Sequence, residues 1–189
     1  RSLAIDPANP AGWIEKGLSL QALGDLPGAM AAFRASIDAD PSRSRPWLLL
    51  GVAARLSNRM GEALSALDRA TRIDAGDPEG WHERGLVLVE LGRIEEGISS
   101  FDRALEIRPE DAGSLYARAL ALETLGRYGD ALASLEKALP SRESDVAAWF
   151  HHGSLLLRLG KAEEAARSLD RSLALDPAQP PAWFQRGEA

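Results

Sequence analysis

The chain contains no cysteine among its 189 residues, which excludes disulfides and metal sites built on thiolates. It also has no apolar run near the ~18 consecutive residues that suggest a membrane span, so we expect no membrane partner. No signal-like segment opens the sequence at Arg1. Together with the absence of cysteine, this favours a cytoplasmic location.

Positive charge is also scarce and is not concentrated anywhere along the chain. Lysine and arginine number 22 against 28 aspartates and glutamates, which gives a net charge of −6. Proteins that bind a phosphate backbone gain most of their affinity from clustered basic side chains that release counterions. The composition therefore argues against nucleic acid as a partner.

The chain has only three histidines, so few residues are candidates for a metal or catalytic site. His82 is followed by Glu83, and His151 by His152. Adjacent residues on a helix point about 100° apart, so neither pair forms a chelating face, whereas zinc needs three or four converging ligands. No serine occupies a strand-to-helix elbow, because the sequence predicts no strands. We expect no catalytic residue, no metal site and no cofactor, and hence no enzymatic activity.

Tryptophan, by contrast, recurs at a fixed interval of 34 residues. The ladder consists of Trp13, Trp47, Trp81, Trp149 and Trp183, with Leu115 in place of the one missing member. A fixed period of this size is typical of stacked helical repeats. It divides the chain into five complete units, residues 10–43, 44–77, 78–111, 112–145 and 146–179. Residues 1–9 are then the tail of a truncated preceding unit and residues 180–189 the start of a truncated sixth.

Each unit has the signals of two helices separated by a tight turn. Asn9 and Asp77 are capping residues, and each is followed by a proline, which suits a helix start because its missing N–H would be unpaired there anyway. Asp40-Pro41 marks the end of a second helix, since proline cannot continue the hydrogen-bond ladder. The residues expected to adopt the left-handed conformation at the turns are Gly24, Asn58, Gly92, Gly126 and Gly160.

Small residues recur at one position of each first helix and at two positions of each second helix. In the third unit these are Gly85, Gly97 and Ala104, and we expect them to pack against one another so that the two helix axes approach closely. Basic residues precede most of the packing glycines, and acidic residues recur on the second helices, which predicts a structural ladder of ion pairs. Its members are Lys16, Arg84, Arg118, Arg186, Asp68, Asp102, Glu136 and Asp170.

This combination of features resembles the tetratricopeptide repeat (TPR), a helical repeat of 34 residues, over essentially the whole chain. The resemblance implies an all-α fold, a right-handed superhelix of antiparallel helix pairs. Leu115, Ala119 and Ala75 depart from the family's pattern. Pro140 should end the second helix of the fourth unit early and leave residues 141–144 as a loop. The pentatricopeptide repeat, an RNA reader with a period one residue longer, does not fit this spacing or the acidic net charge.

The first helices carry a second apolar stripe, on the side away from their packing glycines. The stripe comprises Ile14, Leu18, Leu48, Val52, Leu86, Tyr116, Leu120 and Phe150. In TPR proteins this side lines a concave groove that holds peptides, so the resemblance implies a groove with apolar, partly aromatic walls. Its polar rim would be formed by Arg55, Glu83, Glu90, Glu123, His151 and Arg158.

These features predict a non-catalytic scaffold that binds a peptide segment of a partner protein through apolar or aromatic anchors. Glu83, Glu90 and Glu123 should favour lysine or arginine beside those anchors. The alternative is an accessory repeat array of a larger enzyme, such as a glycosyltransferase or kinase, with a catalytic domain outside residues 1–189. We also expect self-association through the truncated repeat ends, because cutting an array exposes faces that terminal repeats normally cover.

Overall fold

A computed structural model describes residues 9–189, and every regular element in that range is a helix. Most of the predicted tail of a preceding repeat, residues 1–8, lies outside the described residues. The chain divides into two compact units, each made of several 34-residue repeats. The first unit ends at Ile107 and the second unit begins at Arg108. The all-α fold expected from the 34-residue period is confirmed.

The first unit contains three helix pairs. Within each pair the two helices pack on each other, and the second helices of the first two pairs also pack on the first helix of the following pair. Its helices are α1 (Pro10–Ala22), α2 (Leu26–Ala39), α3 (Ser44–Leu56), α4 (Met60–Ile73), α5 (Pro78–Glu90) and α6 (Ile94–Ile107).

The second unit contains two helix pairs and one further helix, α11. Pro140 ends the second helix of its first pair early, as predicted, but residues 139–141 form a 3₁₀ turn and only Arg142 onward is loop. The helices are α7 (Ala112–Thr124), α8 (Tyr128–Ala138), α9 (Val146–Arg158), α10 (Ala162–Leu175) and α11 (Pro180–Glu188).

Capping and turn residues have the roles that the sequence suggested. The side chains of Asn9 and Asp77 accept hydrogen bonds from backbone N–H groups in the first turns of α1 and α5, which would otherwise be unpaired. Asn58 has a φ of 57°, the same left-handed region as the four turn glycines. It is the one non-glycine residue with positive φ among residues 9–189, consistent with the tolerance of asparagine for this conformation.

The packing glycines receive a large apolar side chain from the second helix of their own pair. A Cβ atom at Gly85 would lie 2.5 Å from Cε1 of Phe101, and one at Gly51 would lie 2.5 Å from Cγ of Leu67. The predicted neighbour Gly97 is in contact as well, because a Cβ there would lie 3.0 Å from the carbonyl oxygen of Gly85. Each packing glycine therefore makes room mainly for a large apolar side chain of the second helix, Phe101 or Leu67 in these two repeats, rather than for another glycine.

Ion pairs link second helices to the following first helices. Arg84 donates to Asp68 over 2.7 Å and to Ser100 over 2.7 Å. Between α10 and α11, Arg186 donates to Asp170 over 2.6 Å. These partly exposed pairs contribute little stability individually, so they mainly set the register of neighbouring helices.

His152 occupies the place of these arginines in α9, and its Nδ1 lies 2.8 Å from Oγ of Ser168. Burial lowers the pKa of His152 below its ordinary value of 6.5. Lys161 lowers this pKa further, whereas Glu136 and Glu164 act in the opposite direction. The folded chain therefore binds this proton less readily than the unfolded chain does.

Because the pKa of His152 is lower in the folded state, its contribution to stability should be lost as pH falls below about 6.5. We expect acidification from pH 7.5 to 5.5 to lower the melting temperature of the native chain more than that of His152→Gln, which cannot be protonated. Differential scanning calorimetry at both pH values checks this. Parallel pH dependence in the two proteins would contradict the assignment to His152.

Candidate functional site

In the first unit, the predicted groove residues lie on α1, α3 and α5 but differ in accessibility. Leu18 is 37% exposed, whereas Leu48 is completely buried. Ile14 and Val52 are partly buried and pack against the core cluster that contains Leu48. Leu48 was therefore wrongly assigned to a groove wall: α3 is an internal helix, and its neighbours cover two of its sides.

The predicted rim of the first unit is a network of charges that connects α3 to α5. Arg55 donates from Nε to Glu83 over 3.1 Å and from Nη1 to Glu90 over 3.2 Å. The side chains of Arg55 and Glu83 are only 20% and 16% exposed. One positive charge thus faces two carboxylates, and both of them already accept a hydrogen bond from Arg55, so they are poorly placed to select a basic residue in a ligand.

In the second unit, aromatic and ionisable residues of α7 and α9 come together around Tyr116. The ring of His151 lies edge-on to that of Tyr116, with centroids 6.2 Å apart, and Phe150 lies 5.8 Å from His151. Nδ1 of His151 lies 3.0 Å from Oε2 of Glu123. Thus four of the predicted groove and rim residues form a continuous cluster.

Arg142, which the sequence reasoning did not identify, completes this cluster. Its guanidinium lies 4.1 Å from the centroid of the Tyr116 ring, a cation–π distance. Nε of Arg142 also donates to Asp145 over 2.9 Å, and Asp145 caps α9. The only signal in the sequence is the placement of arginine three residues before a capping aspartate. We call Tyr116, Glu123, Arg142, Phe150 and His151 the Tyr116 cluster.

The environment of Tyr116 keeps its hydroxyl protonated. Burial raises the pKa of Tyr116 above its ordinary value, and the negative charges of Asp145 and Glu123 add to this effect, while Arg142 opposes it. The side chain therefore offers an apolar ring and a neutral hydroxyl, which can both donate and accept a hydrogen bond.

The remaining predicted residues of the second unit have mixed roles. Leu120 is partly exposed on α7. Arg158 lies over the ring of Tyr128 at 6.0 Å, so it contacts the start of α8. Phe150 also packs against the small core formed by Leu169, Leu173 and Ala182, so its ring serves both the cluster and the fold.

Two structural findings concern metal sites and membrane spans. In the part of the chain that the structure describes, no three histidine, aspartate or glutamate side chains converge as a metal site would require. No helix within residues 9–189 is both long enough and apolar enough to cross a bilayer.

Comparison with solved structures shows where this fold occurs. YrrB, described as a TPR protein with an unusual peptide-binding site, superposes with a TM-score of 0.81 at 18% identity, over 96% of this chain and 94% of YrrB. MamA from Desulfovibrio magneticus RS-1 gives a TM-score of 0.82 at 15% identity, over 93% and 98% of the two chains. A TPR protein from Parabacteroides merdae gives 0.79 at 24% identity, over 95% and 71%. At these identities the similarity establishes the fold alone.

Family models supply the corresponding result for the sequence. A search of curated protein sequences found no match. Models of the tetratricopeptide repeat match residues 14–78 and 82–146, residues 50–113, and residues 146–189, which together account for nearly all of the described chain. With the 34-residue period and the helix pairs described above, these matches show that the chain belongs to the tetratricopeptide repeat family.

Proposed function

We propose that this chain is a non-catalytic scaffold that binds a peptide segment of a partner protein on the face formed by its first helices. The observation that carries the proposal is the Tyr116 cluster, in which half-buried aromatic rings and charged groups of α7, α9 and the loop before α9 lie together. Aromatic side chains that offer both an apolar surface and hydrogen-bonding groups are typical anchors of protein interfaces.

The energetics of the cluster favour an apolar or aromatic anchor in the ligand. Tyr116 is held from two sides, by Arg142 and by His151, so binding costs it little side-chain entropy. An anchor placed over the ring would desolvate an apolar surface that is already ordered. Leu120 lies one helical turn beyond Tyr116 on α7 and extends the apolar contact.

Glu123 is the carboxylate best placed to influence the residue beside that anchor. In contrast to Glu83 and Glu90, which face the permanently charged Arg55, Glu123 faces a histidine. An imidazole is a weaker partner for a carboxylate than the guanidinium of Arg55, so a lysine or arginine of the ligand can also pair with Glu123. The preference for basic residues next to the anchor is therefore proposed for Glu123 rather than for all three glutamates.

A selection of random peptides displayed on phage, carried out against this chain, tests the proposal. Recovered peptides should contain tryptophan, phenylalanine, leucine or another large apolar residue with a neighbouring lysine or arginine. Titration of a recovered peptide into ¹⁵N-labelled protein should shift the amide resonances of α7 and α9. Peptides dominated by acidic residues, or shifts confined to α8 and α10, would place the functional surface elsewhere.

The proposal also includes self-association through α11. Trp183 is 57% exposed and the adjacent Phe184 is 70% exposed, the two largest exposed aromatic side chains in the described range. We expect Phe184→Ser to reduce dimer formation in sedimentation velocity at high protein concentration. Leu23→Ser, which changes another highly exposed apolar residue far from α11 in the sequence, is the matched control and should leave association unchanged.

A further inference from the structure

The tryptophan ladder is joined to the backbone by a repeated hydrogen bond. In Trp47, Trp81, Trp149 and Trp183, the indole Nε1–H donates to the carbonyl oxygen six residues earlier in the chain. These bonds run from Trp47 to Pro41 (3.2 Å), from Trp81 to Ala75 (2.9 Å), from Trp149 to Glu143 (2.9 Å) and from Trp183 to Pro177 (2.9 Å). Each of these repeats thus contains a site shaped for an indole ring and an acceptor for its single donor.

The fourth repeat keeps this site but lacks the indole. Leu115 stands in the ladder position and has no hydrogen-bond donor in its side chain, while the carbonyl six residues earlier belongs to Pro109. A cavity of about 430 Å³ is present at this place, lined by Pro109, Glu110, Leu115, Lys137, Pro140 and Ser141.

The lining of the cavity retains a further element of indole recognition. In the third repeat, the guanidinium of Arg103 lies 5.8 Å from the centroid of the Trp81 ring. Lys137 follows Leu115 by the same 22 residues by which Arg103 follows Trp81, and it lines the cavity. A cation is therefore present where it can interact with the face of an aromatic ring.

We propose that this cavity is a binding site for the tryptophan side chain of a partner protein. The indole of the ligand would take the place that the chain's own tryptophans take in the other repeats. Its N–H would donate to the Pro109 carbonyl, its face would meet Lys137, and its edge would contact the apolar surfaces of Leu115 and Pro140. This site is separate from the Tyr116 cluster, so neither proposal depends on the other.

The chain's own exposed indole is a poorer occupant than one from another protein. Trp183 already donates its N–H to the carbonyl of Pro177 and would have to break this bond before it could enter the cavity of a second copy. A tryptophan in an extended peptide has no such bond to lose. The lining of the cavity, with two prolines and one cation beside an acceptor, matches indole better than phenylalanine, because phenylalanine cannot donate to the carbonyl.

Binding of N-acetyl-L-tryptophanamide, measured by ligand-observed NMR and calorimetry, tests this proposal. We expect saturable binding, weakened about fivefold when the indole nitrogen is methylated, since one hydrogen bond is lost. Lys137→Ala should weaken binding about two- to fivefold. Arg103→Ala is the matched control and should leave binding unchanged, because Trp81 already fills the equivalent site in its repeat.

Leu115→Trp should fill the cavity, abolish binding and raise the melting temperature, since it restores the missing member of the ladder. If this variant folds poorly, Lys137→Ala and the methylated ligand still decide the question. A tryptophan-containing peptide should bind at least as tightly as the amide, whereas free indole that binds more tightly than both would indicate a small-molecule site. Absence of binding, or binding unaffected by Leu115→Trp, by Lys137→Ala and by N-methylation, would overturn the proposal.

Discussion

Replacing Gly85 with leucine is expected to destabilise the chain by roughly 1–3 kcal/mol, because the new side chain has no free space in the contact between α5 and α6. A Cβ atom at Gly85 would lie 2.5 Å, 2.6 Å and 2.9 Å from three carbons of the Phe101 ring. Phe101 is completely buried, so its ring cannot move out into solvent. Urea denaturation of the variant, followed by circular dichroism, measures the effect.

Gly61→Ala is the matched control for this experiment. Gly61 also lies within a helix, α4, but a Cβ atom there would meet nothing within 4 Å. This variant should leave the stability unchanged or raise it by less than about 0.5 kcal/mol, because Gly61 lies in the first turn of α4, where the preference for alanine over glycine is smaller than in a helix interior. A Gly85→Leu protein as stable as the native chain would show that α5 and α6 do not pack as described.

A double-mutant cycle tests whether the phenyl ring is the group that requires glycine. The fourth repeat combines Ala119 with Leu135 at the two positions that Gly85 and Phe101 occupy in the third, and both are buried. Gly85→Ala should therefore cost less in a Phe101→Leu background than in the native chain, by about 1 kcal/mol. Additive effects would show that the backbone of the second helix, rather than Phe101, limits the side chain at position 85.

Replacing Tyr116 with alanine is expected to weaken binding of a selected peptide about 10- to 100-fold, since loss of one central aromatic anchor commonly has this effect. Tyr116 contacts both Arg142 and His151, so the variant removes the centre of the cluster. Glu123→Gln should weaken binding less than about fivefold, because partly exposed charges mainly affect partner choice and association rate. Isothermal titration calorimetry compares the two variants directly.

Two controls separate loss of binding from loss of structure. Phe150 packs on Leu169 and Leu173 as well as lying in the cluster, so Phe150→Leu is preferable to alanine there, and its melting temperature must be measured beside its affinity. Tyr116→Phe retains the ring and should retain most of the affinity. If Tyr116→Ala binds as well as the native chain while Glu123→Gln does not, the surface is selected by charge and the aromatic cluster is structural.

The sequence predicted much of the first-helix face, but it could not predict which of its residues a ligand reaches. The helical period shows on which side of its own helix a residue lies, and the rings of Tyr116 and His151, both assigned to this face, lie 6.2 Å apart. Whether a neighbouring helix covers that side depends on helix packing, and for this reason Leu48 is a core residue. Similarly, the ion pair between Arg55 and Glu83 joins residues that are 28 positions apart and lie on different helices. No pattern within one helix predicts such a pair.

By itself, the sequence determined the repeat period, the helix pairs with their caps and turns, and membership of the tetratricopeptide repeat family, because these depend on local spacing and on propensities that each 34-residue unit repeats. Only the tertiary structure decided which side chains on the helix faces are exposed and can contact a ligand. Packing of α7 on α8 leaves a cavity beside Leu115, and the loop after α8 places Arg142 on Tyr116. Both results follow from distances between helices, and such distances depend on how all the side chains of adjoining units fit together, not on the pattern of any one unit.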